Sequence, residues 1–442
     1  MKMHPLRRWL ILSQYYPPEI GAPQIRLRSL VRVLKSFGLD LRVLTAMPNY
    51  PAGKTFEGYV GRWKLREEID GVPVQRTWVY AGTGRSAVVR LANYFSFTFT
   101  SLIAALTGPR PDVMFVESQP LSLGLVAILM KWLRGVPYIY NVPDLQVEVA
   151  EQMGFIRNRI LLRVAKALED FFIHQAWNVS TVTHGFIEHF ERRGLPRTKL
   201  SFLPNGADID FLAPKPASAR LLNRWHLQGK KIFVYVGTHA YYHGLETLLE
   251  AAALLKDPDI VVLMIGDGPE RARLQNFAAD KKLGNVIFGQ SPYEEMDELY
   301  AIAYASIATL RKIGVAQQMR LSKVFPSLAC GVPVIYSGAG EAAELLQRQQ
   351  CGVVVAPEEP QLLALEMTQL ANDRSRRDHM GQAGRSLVER EYSWSAIVSR
   401  WLSEIGALAD EQAVATVDSR TRPARECVST FAQEDQPTPT TE

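Results

Sequence analysis

Cysteine is scarce: three in 442 residues, Cys330, Cys351 and Cys427. They are far apart and have no metal-ligand spacing. That excludes a disulfide scaffold and a cysteine-based zinc module, and it points to a reducing compartment. Long apolar runs are also lacking. The chain begins MKMHPLRRWLILSQYYPPE, with a basic lead, but the run Trp9 to Leu12 is too short for the apolar region of a signal peptide and reads as a first buried strand. Leu91–Leu106 and Leu121–Leu133 are the two stretches that could touch a membrane; the second is broken by Gly124 and ends Lys131-Trp132-Leu133-Arg134. Neither reaches the ~20 uninterrupted apolar residues of a spanning helix. They read as buried helices, with an interfacial face left open. There is no GxGxxG fingerprint, and no basic run with interleaved aromatics that would mark a nucleic-acid module.

What is present is ordinary globular material. Hydrophobic residues make up 47% and charged residues 21%, so the chain can bury real cores. At roughly 150 residues per domain the length predicts two or three domains. The net charge of +5 and pI near 9.0 suit an anionic lipid surface or an anionic substrate.

The chain opens strand–loop–helix–strand: Arg8–Ser13, a Pro-rich loop Gln14–Pro23 with Gly21, a helix Gln24–Phe37, then Leu39–Leu44. This is the unit of a doubly wound α/β domain. In the helix Arg26, Arg28 and Arg32 are expected opposite the apolar side. Gly21 would let backbone approach a ligand over the helix start. Further strands are expected at Asp112–Glu117, Tyr138–Asn141, Asn178–Val182 and Leu200–Leu203, with helices between them. Asp144 and Glu148 follow the strand Tyr138–Asn141, at the edge where open parallel sheets bind ligands. Asp144 either orients or deprotonates an acceptor hydroxyl, or only caps the helix that starts at Leu145. His184, after Asn178–Val182, either contacts donor or acceptor or is a satisfied loop residue. The turn Pro204-Asn205-Gly206-Ala207-Asp208 closes a first domain, taken as 1–213.

A second domain, 214–390, restarts the pattern. Lys231–Val236 ends at Gly237, and Ile260–Ile265 ends at Gly266-Asp267-Gly268. Ser322 to Ile335 reads as a helix capped by Ser322, stopped by Gly331 and followed by the strand Val332–Ile335. Lys323 then stands beside free backbone amides at a helix start, where an anion such as a diphosphate binds. Three such turns on one sheet edge point to a nucleotide. Glu341 is a candidate for a sugar hydroxyl, and Glu344 either binds ribose or is a solvated helix face. Residues 391–409, with Tyr392-Ser393-Trp394, form a last helix. The Thr/Pro/Glu/Arg-rich stretch 410–442 reads as disordered.

Taken together, Tyr16-Pro17-Pro18-Glu19-Ile20-Gly21-Ala22, Pro48-Asn49-Tyr50-Pro51-Ala52-Gly53-Lys54, Arg110-Pro111-Asp112-Val113, Asp144-Leu145 with Glu148, Leu203-Pro204-Asn205-Gly206-Ala207-Asp208, Gly244-Leu245-Glu246, Gly266-Asp267-Gly268-Pro269 and Ser322 through Ile335 carry a resemblance. Over about residues 8–405 the chain resembles the retaining glycosyltransferase family 4. Within it, the chain is similar to bacterial transferases of exopolysaccharide and O-antigen synthesis of the colanic-acid type. The resemblance implies the α/β GT-B fold: two facing Rossmann-like doubly wound domains, with the C-terminal helix crossing back to the N-terminal domain. It implies retaining transfer from a nucleotide-sugar, a UDP-sugar first, to a glycan or lipid-linked acceptor, with no cofactor, no metal and no nucleic acid. The site residues it implies are Asp144, His184, His239 and Lys323 for catalysis. For the donor it implies Gly21, Gly237, Thr238, Gly266, Gly268, Lys323, Glu341 and Glu344. A cytoplasmic location follows, with peripheral contact to an anionic membrane. The sequence departs from the family at three places. Tyr241 stands where relatives carry Lys or Arg, so His239 or His243 would replace that cation. Pro326 and Gln318 stand where relatives carry a pair of glutamates. Two alternatives remain open: a catalytically weak or inactive binding or regulatory protein on this scaffold, and a nucleotide-sugar epimerase.

Overall fold

The computed structural model describes residues 6–83, 86–152, 158–313 and 322–406. Gln318 and the expected tail lie outside the described residues. The first half runs β1 (Arg8–Leu12), α1 (Ala22–Ser36), β2 (Asp40–Ala46), β3 (Lys64–Ile69), β4 (Val72–Thr77), α2 (Ala87–Thr107), β5 (Val113–Glu117), α3 (Leu123–Arg134), β6 (Tyr138–Val142), α4 (Gln146–Gln152), α5 (Arg159–Gln175), β7 (Asn178–Thr181), α6 (His184–Arg192) and β8 (Leu200–Phe202). Its eight-stranded sheet has the order β3-β4-β2-β1-β5-β6-β7-β8. All neighbours are parallel except β3, which pairs antiparallel with β4. The order reverses at β1, which has β2 on one side and β5 on the other, so the crevice beyond the strand ends opens there.

The second half runs α7 (Ala219–Arg224), β9 (Lys231–Val236), α8 (Leu245–Leu254), β10 (Ile260–Ile265), α9 (Arg271–Asp280), β11 (Val286–Gly289), α10 (Met296–Ala301), β12 (Ala305–Thr309), α11 (Val324–Ala329), β13 (Val334–Ser337), α12 (Glu341–Arg348), β14 (Gly352–Val355), α13 (Pro360–Asn372), α14 (Arg374–Leu387) and α15 (Trp394–Glu404). Its six strands are all parallel, in the order β11-β10-β9-β12-β13-β14, with the switch between β9 and β12. β10, a continuous apolar run, and β12 are buried end to end because helices cover both faces.

Side-chain alternation along β1 separates the two layers of the first domain. Trp9 and Ile11 face α1 and α15, while Leu10 and Leu12 face the layer of α2, α3, α5 and α6. So α15, the last helix among the described residues, completes the core of the first domain. Trp401 packs its ring against Trp9 at 5.9 Å and Phe115 at 5.8 Å, and its Nε1 donates to the hydroxyls of Ser180 and Ser201, both at 3.0 Å. At ~1.5–3 kcal/mol for each large buried apolar side chain, Ile397, Val398 and Leu402 alone fix this helix firmly. The Asn205-Gly206-Ala207 turn meets Tyr392-Ser393-Trp394: Ala207 N donates to Tyr392 O (2.9 Å) and Trp394 N to Ala207 O. A Cβ on Gly206 would lie 2.5 Å from Tyr392 O, which is why this turn needs glycine.

The structure corrects several local readings. Ser322 does not cap α11; the helix begins at Val324, and Lys323 holds the N-cap position without a capping bond from its side chain. The following strand starts two residues later than expected, at Val334. Gly331 does stop the helix, with φ +70°. Arg26 is not on the solvent side of α1 but buried, because it lies four residues before Leu30 on the buried stripe.

Candidate active site

The carboxyl ends of both sheets line one cleft. Across it, Gly185 N donates to Glu341 Oε1 at 2.5 Å. Burial raises the phenol of Tyr242, and Asp144 and Tyr50 of the first domain add to that shift.

The C-terminal wall is built on the turn after β9. Gly237 has φ +146°, a conformation that side chains resist. A Cβ there would stand 3.0 Å from Lys323 Nζ. The turn therefore leaves bare backbone against a cation. Lys323 Nζ donates to Tyr235 Oη at 2.8 Å, lies 4.3 Å above the Tyr235 ring and is 3.3 Å from His243 Nε2. Burial pulls its pKa down to about 7. Tyr235 Oη in turn donates to Thr238 O at 2.8 Å, which fixes the Thr238–His239 peptide of this turn.

Gly266 and Gly268 are bare for a reason inside the protein. A Cβ on Gly266 would lie 1.9 Å from Gly237 O, and one on Gly268 2.5 Å from His239 O. The β10 turn is packed onto the β9 turn, and His239 N donates to Asp267 O (2.8 Å). These glycines thus brace the Gly237 turn. His239 is fully buried, with no hydrogen-bond partner on either ring nitrogen among the described residues, and burial lowers its pKa to about 4. Burial lowers His243 further. Both imidazoles are therefore neutral in the free protein, which corrects the expectation that either supplies a cation.

The cation near Tyr241 comes from elsewhere in the chain. Arg311, just past β12, lies with its guanidinium 4.2 Å over the exposed Tyr241 ring. Its Nε donates to Tyr241 O at 2.8 Å, and it pairs with Glu246 at 2.6 Å and Glu358 at 3.6 Å. Its place at the carboxyl end of a strand was the signal that could have found it. Pro326 is third in α11, where a missing N–H leaves no helix bond unmade. Glu344 is exposed on the first turn of α12.

The N-terminal wall starts at Gly21, which precedes α1 in an extended conformation; a Cβ there would meet Gln24 Oε1 at 2.5 Å. Glu19 ties two of the motifs together. Its Oε1 accepts from Asn49 N and Tyr50 N, both at 2.8 Å, and its Oε2 from Tyr16 N. Arg26 Nη1 pairs with Glu117 Oε1 at 3.3 Å, and Asn141 Nδ2 donates to Glu117 Oε2 at 2.9 Å. Glu117, Asn141 and Arg26 were not singled out from sequence. Beside them Asp144 accepts from Gln119 Nε2 at 3.3 Å, and burial raises its pKa to about 6. His184 is exposed at the start of α6, stacked on Phe202 at 4.1 Å, next to the Gly185–Glu341 contact. The cleft thus offers a bare turn with a half-buried cation on one wall and a carboxylate with its pKa raised to about 6 on the other.

Comparison with known proteins agrees with this layout. The family described as glycosyl transferases group 1 matches residues 223–387, and the glycosyl transferase 4-like domain matches 21–206. The chain is 27% identical over 333 residues to the putative colanic acid biosynthesis glycosyl transferase WcaI of Escherichia coli, covering 73% of this chain and 81% of that protein. It is 29% identical over 212 residues to a GDP-mannose-dependent alpha-(1-6)-phosphatidylinositol monomannoside mannosyltransferase of Mycobacterium tuberculosis, covering 46% of this chain and 55% of that protein. In fold it resembles sucrose-phosphate synthase of Thermosynechococcus elongatus, with TM-score 0.71, 18% identity and coverage of 93% and 99%. It also resembles Anabaena HepE solved with UDP-glucose, with TM-score 0.69, 16% identity and coverage of 90% and 99%. The two domains, their facing sheets and these matches lead to one family: the chain belongs to the group 1, GT4-type glycosyltransferases of the GT-B fold.

Proposed function

We propose that this glycosyltransferase moves a sugar from a nucleoside-diphosphate sugar, UDP-sugars first, to a glycan or lipid-linked acceptor at the cytoplasmic face of a membrane, with retention of anomeric configuration and without a metal ion. The observation that carries the reading is the Gly237–Lys323 corner. A turn with no side chain and a half-buried ammonium beside it suit a diphosphate better than a neutral ligand. As the bond between the anomeric carbon and the diphosphate oxygen breaks, its electron pair goes to the diphosphate. Lys323 stabilises that charge where it develops. The acceptor oxygen bonds to the anomeric carbon from the face the diphosphate leaves, and Asp144 takes its proton.

The test is turnover over a panel of UDP-, GDP- and dTDP-sugars, with the anomeric configuration of the product read by NMR. GDP-mannose belongs in the panel because relatives are named for it. Chelator should leave the rate unchanged. With Asp144 as the base, kcat/KM should fall as pH drops through about 6, because the carboxylate becomes protonated there. A folded protein that turns over no donor would overturn the enzyme reading. Donor binding without turnover would move it to a binding role on the same scaffold.

A further inference from the structure

The two domains differ in what they show to solvent. Thirteen of the twenty-two exposed large apolar side chains among the described residues lie on α2, α3 and α5; four lie beyond residue 213. On α2, Leu91, Phe95, Phe99 and Ile103 recur every fourth residue, one stripe on the side away from the sheet. Phe95, Phe99, Trp132, Leu133, Ile160 and Leu161 are between 53% and 71% exposed.

The three helices form one continuous surface. Thr98 Oγ1 donates to Ser122 Oγ at 2.7 Å and Arg134 Nη1 to Ala105 O at 3.0 Å, joining α2 to α3. Lys131 Nζ donates to Gln175 O at 2.7 Å, and the Trp132 and Phe171 rings meet at 6.1 Å, joining α3 to α5. By length and composition α2 could cross a membrane. Its inner side, with Phe97, Ala104 and Ala105, is instead packed in the core, so it lies along the surface.

Charge selects the occupant. The three helices carry Arg90, Lys131, Arg134, Arg159, Arg163 and Lys166. Their acids are Glu169 and Asp170, and both are held by Arg193, just past α6. Lys166 pairs with Glu151 of α4. A two-fold contact with a second copy would press this basic rim on itself. A plane of anionic headgroups over acyl chains matches both the charge and the apolar stripe.

We propose that the outer face of α2, α3 and α5 docks on an anionic lipid bilayer, with the helices lying in the plane of the interface. The membrane part of the proposed function supplies the setting, and this inference assigns it a surface. α2 and α3 follow the carboxyl ends of β4 and β5, so their N-terminal ends stand at the cleft edge of the sheet. Docking this way brings the cleft mouth to the bilayer. Gly53, Lys54 and Thr55 with Tyr80 and Gly82 line a pocket of about 500 Å³ beside Val89 of α2, at that same end.

The experiment is co-sedimentation of the full chain with vesicles of phosphatidylcholine alone or mixed with phosphatidylglycerol. The wild type should bind the mixed vesicles, and more weakly at high salt. Phe95→Asp with Phe99→Asp should lower that binding at least tenfold. Arg159→Glu with Arg163→Glu should lose the preference for the anionic lipid. All four side chains are exposed, so thermal midpoint and donor hydrolysis should stay at wild-type values. A wild type that stays in the supernatant, or an aspartate variant that binds like it, overturns the proposal. So does a dimer that the aspartates dissociate while no vesicle binds. Loss of donor turnover with vesicle binding intact strikes the catalytic reading and leaves this one standing.

Discussion

Each wall of the cleft holds a cation drawn back from solvent, Arg26 buried and Lys323 half-buried, and the two are treated differently. Arg26, on the N-terminal wall, has Glu117 at 3.3 Å and shares that carboxylate with Asn141. Lys323, on the C-terminal wall, has a phenol and an imidazole but no carboxylate among the described residues, and burial alone accounts for its lowered pKa. A buried cation with its counter-ion inside the protein is finished; removing it only exposes the partner's cost. A buried cation without one costs stability until an anion arrives. The difference identifies which wall awaits the diphosphate.

Replacing each cation by Met should therefore give opposite stability changes. Arg26→Met leaves Glu117 buried and unpaired, and should destabilise the fold by ~3–5 kcal/mol. Urea denaturation would show it as a lower midpoint at unchanged slope. Equal stability of Arg26→Met and wild type would mean that the pair is not a unit. Lys323→Met removes an uncompensated charge. Its thermal midpoint should rise, by about 2–4 °C for each kcal/mol released. Donor affinity should fall by roughly ten- to hundredfold, the worth of a charge-assisted hydrogen bond. Calorimetric titration with the nucleoside diphosphate reads the second effect. Affinity unchanged in Lys323→Met would break the comparison.

Proton linkage sharpens it. In the folded protein the Lys323 pKa is depressed to about 7 from its ordinary value of 10.5. Between those values the unfolded chain binds more protons, so this group makes stability rise with pH across the window. Lys323→Met should flatten that rise. A bound diphosphate favours the ammonium, so binding takes up a proton above about pH 7. Affinity should then fall by up to ~tenfold per pH unit above that point. Titrations in buffers of different ionisation enthalpy would detect the uptake. Burial lowers the Arg26 pKa too, but Glu117 beside it opposes that shift.

The same contrast explains what could be read in the sequence. β9 and β10 lie at their expected bounds because a strand buried on both faces is a plain apolar run. β3 was not read because its residues Lys64–Ile69 are mostly charged and alternate at an antiparallel edge. α14 was missed because it is rich in arginine and buries little beyond Gly381, Gly384 and Leu387. Gly237 and Lys323 were singled out through local chemistry, a turn and a helix start. Tyr235, which holds Lys323, is 88 positions away, and Glu117 is 91 from Arg26. Such pairs exist only once the strands are ordered. Pattern alone identified the cation and could not say whether it had a partner.

Arg311 offers the smallest and most discriminating test. It is the cation beside Tyr241, but it is built like Arg26 and not like Lys323. Glu246 and Glu358 stand at 2.6 and 3.6 Å, and Arg273 shares Glu246. Its charge is largely spent, and the pair is partly exposed, where such bridges are worth about 0–1 kcal/mol. Arg311→Gln should therefore change donor affinity by no more than about fivefold, through loosening of the Tyr241 carbonyl that Nε holds. Steady-state KM for the donor, with kcat as control, measures it. A loss as large as that of Lys323→Met would show that Arg311 leaves its carboxylates when the diphosphate binds. The rule that a paired cation is finished would then fail on this wall.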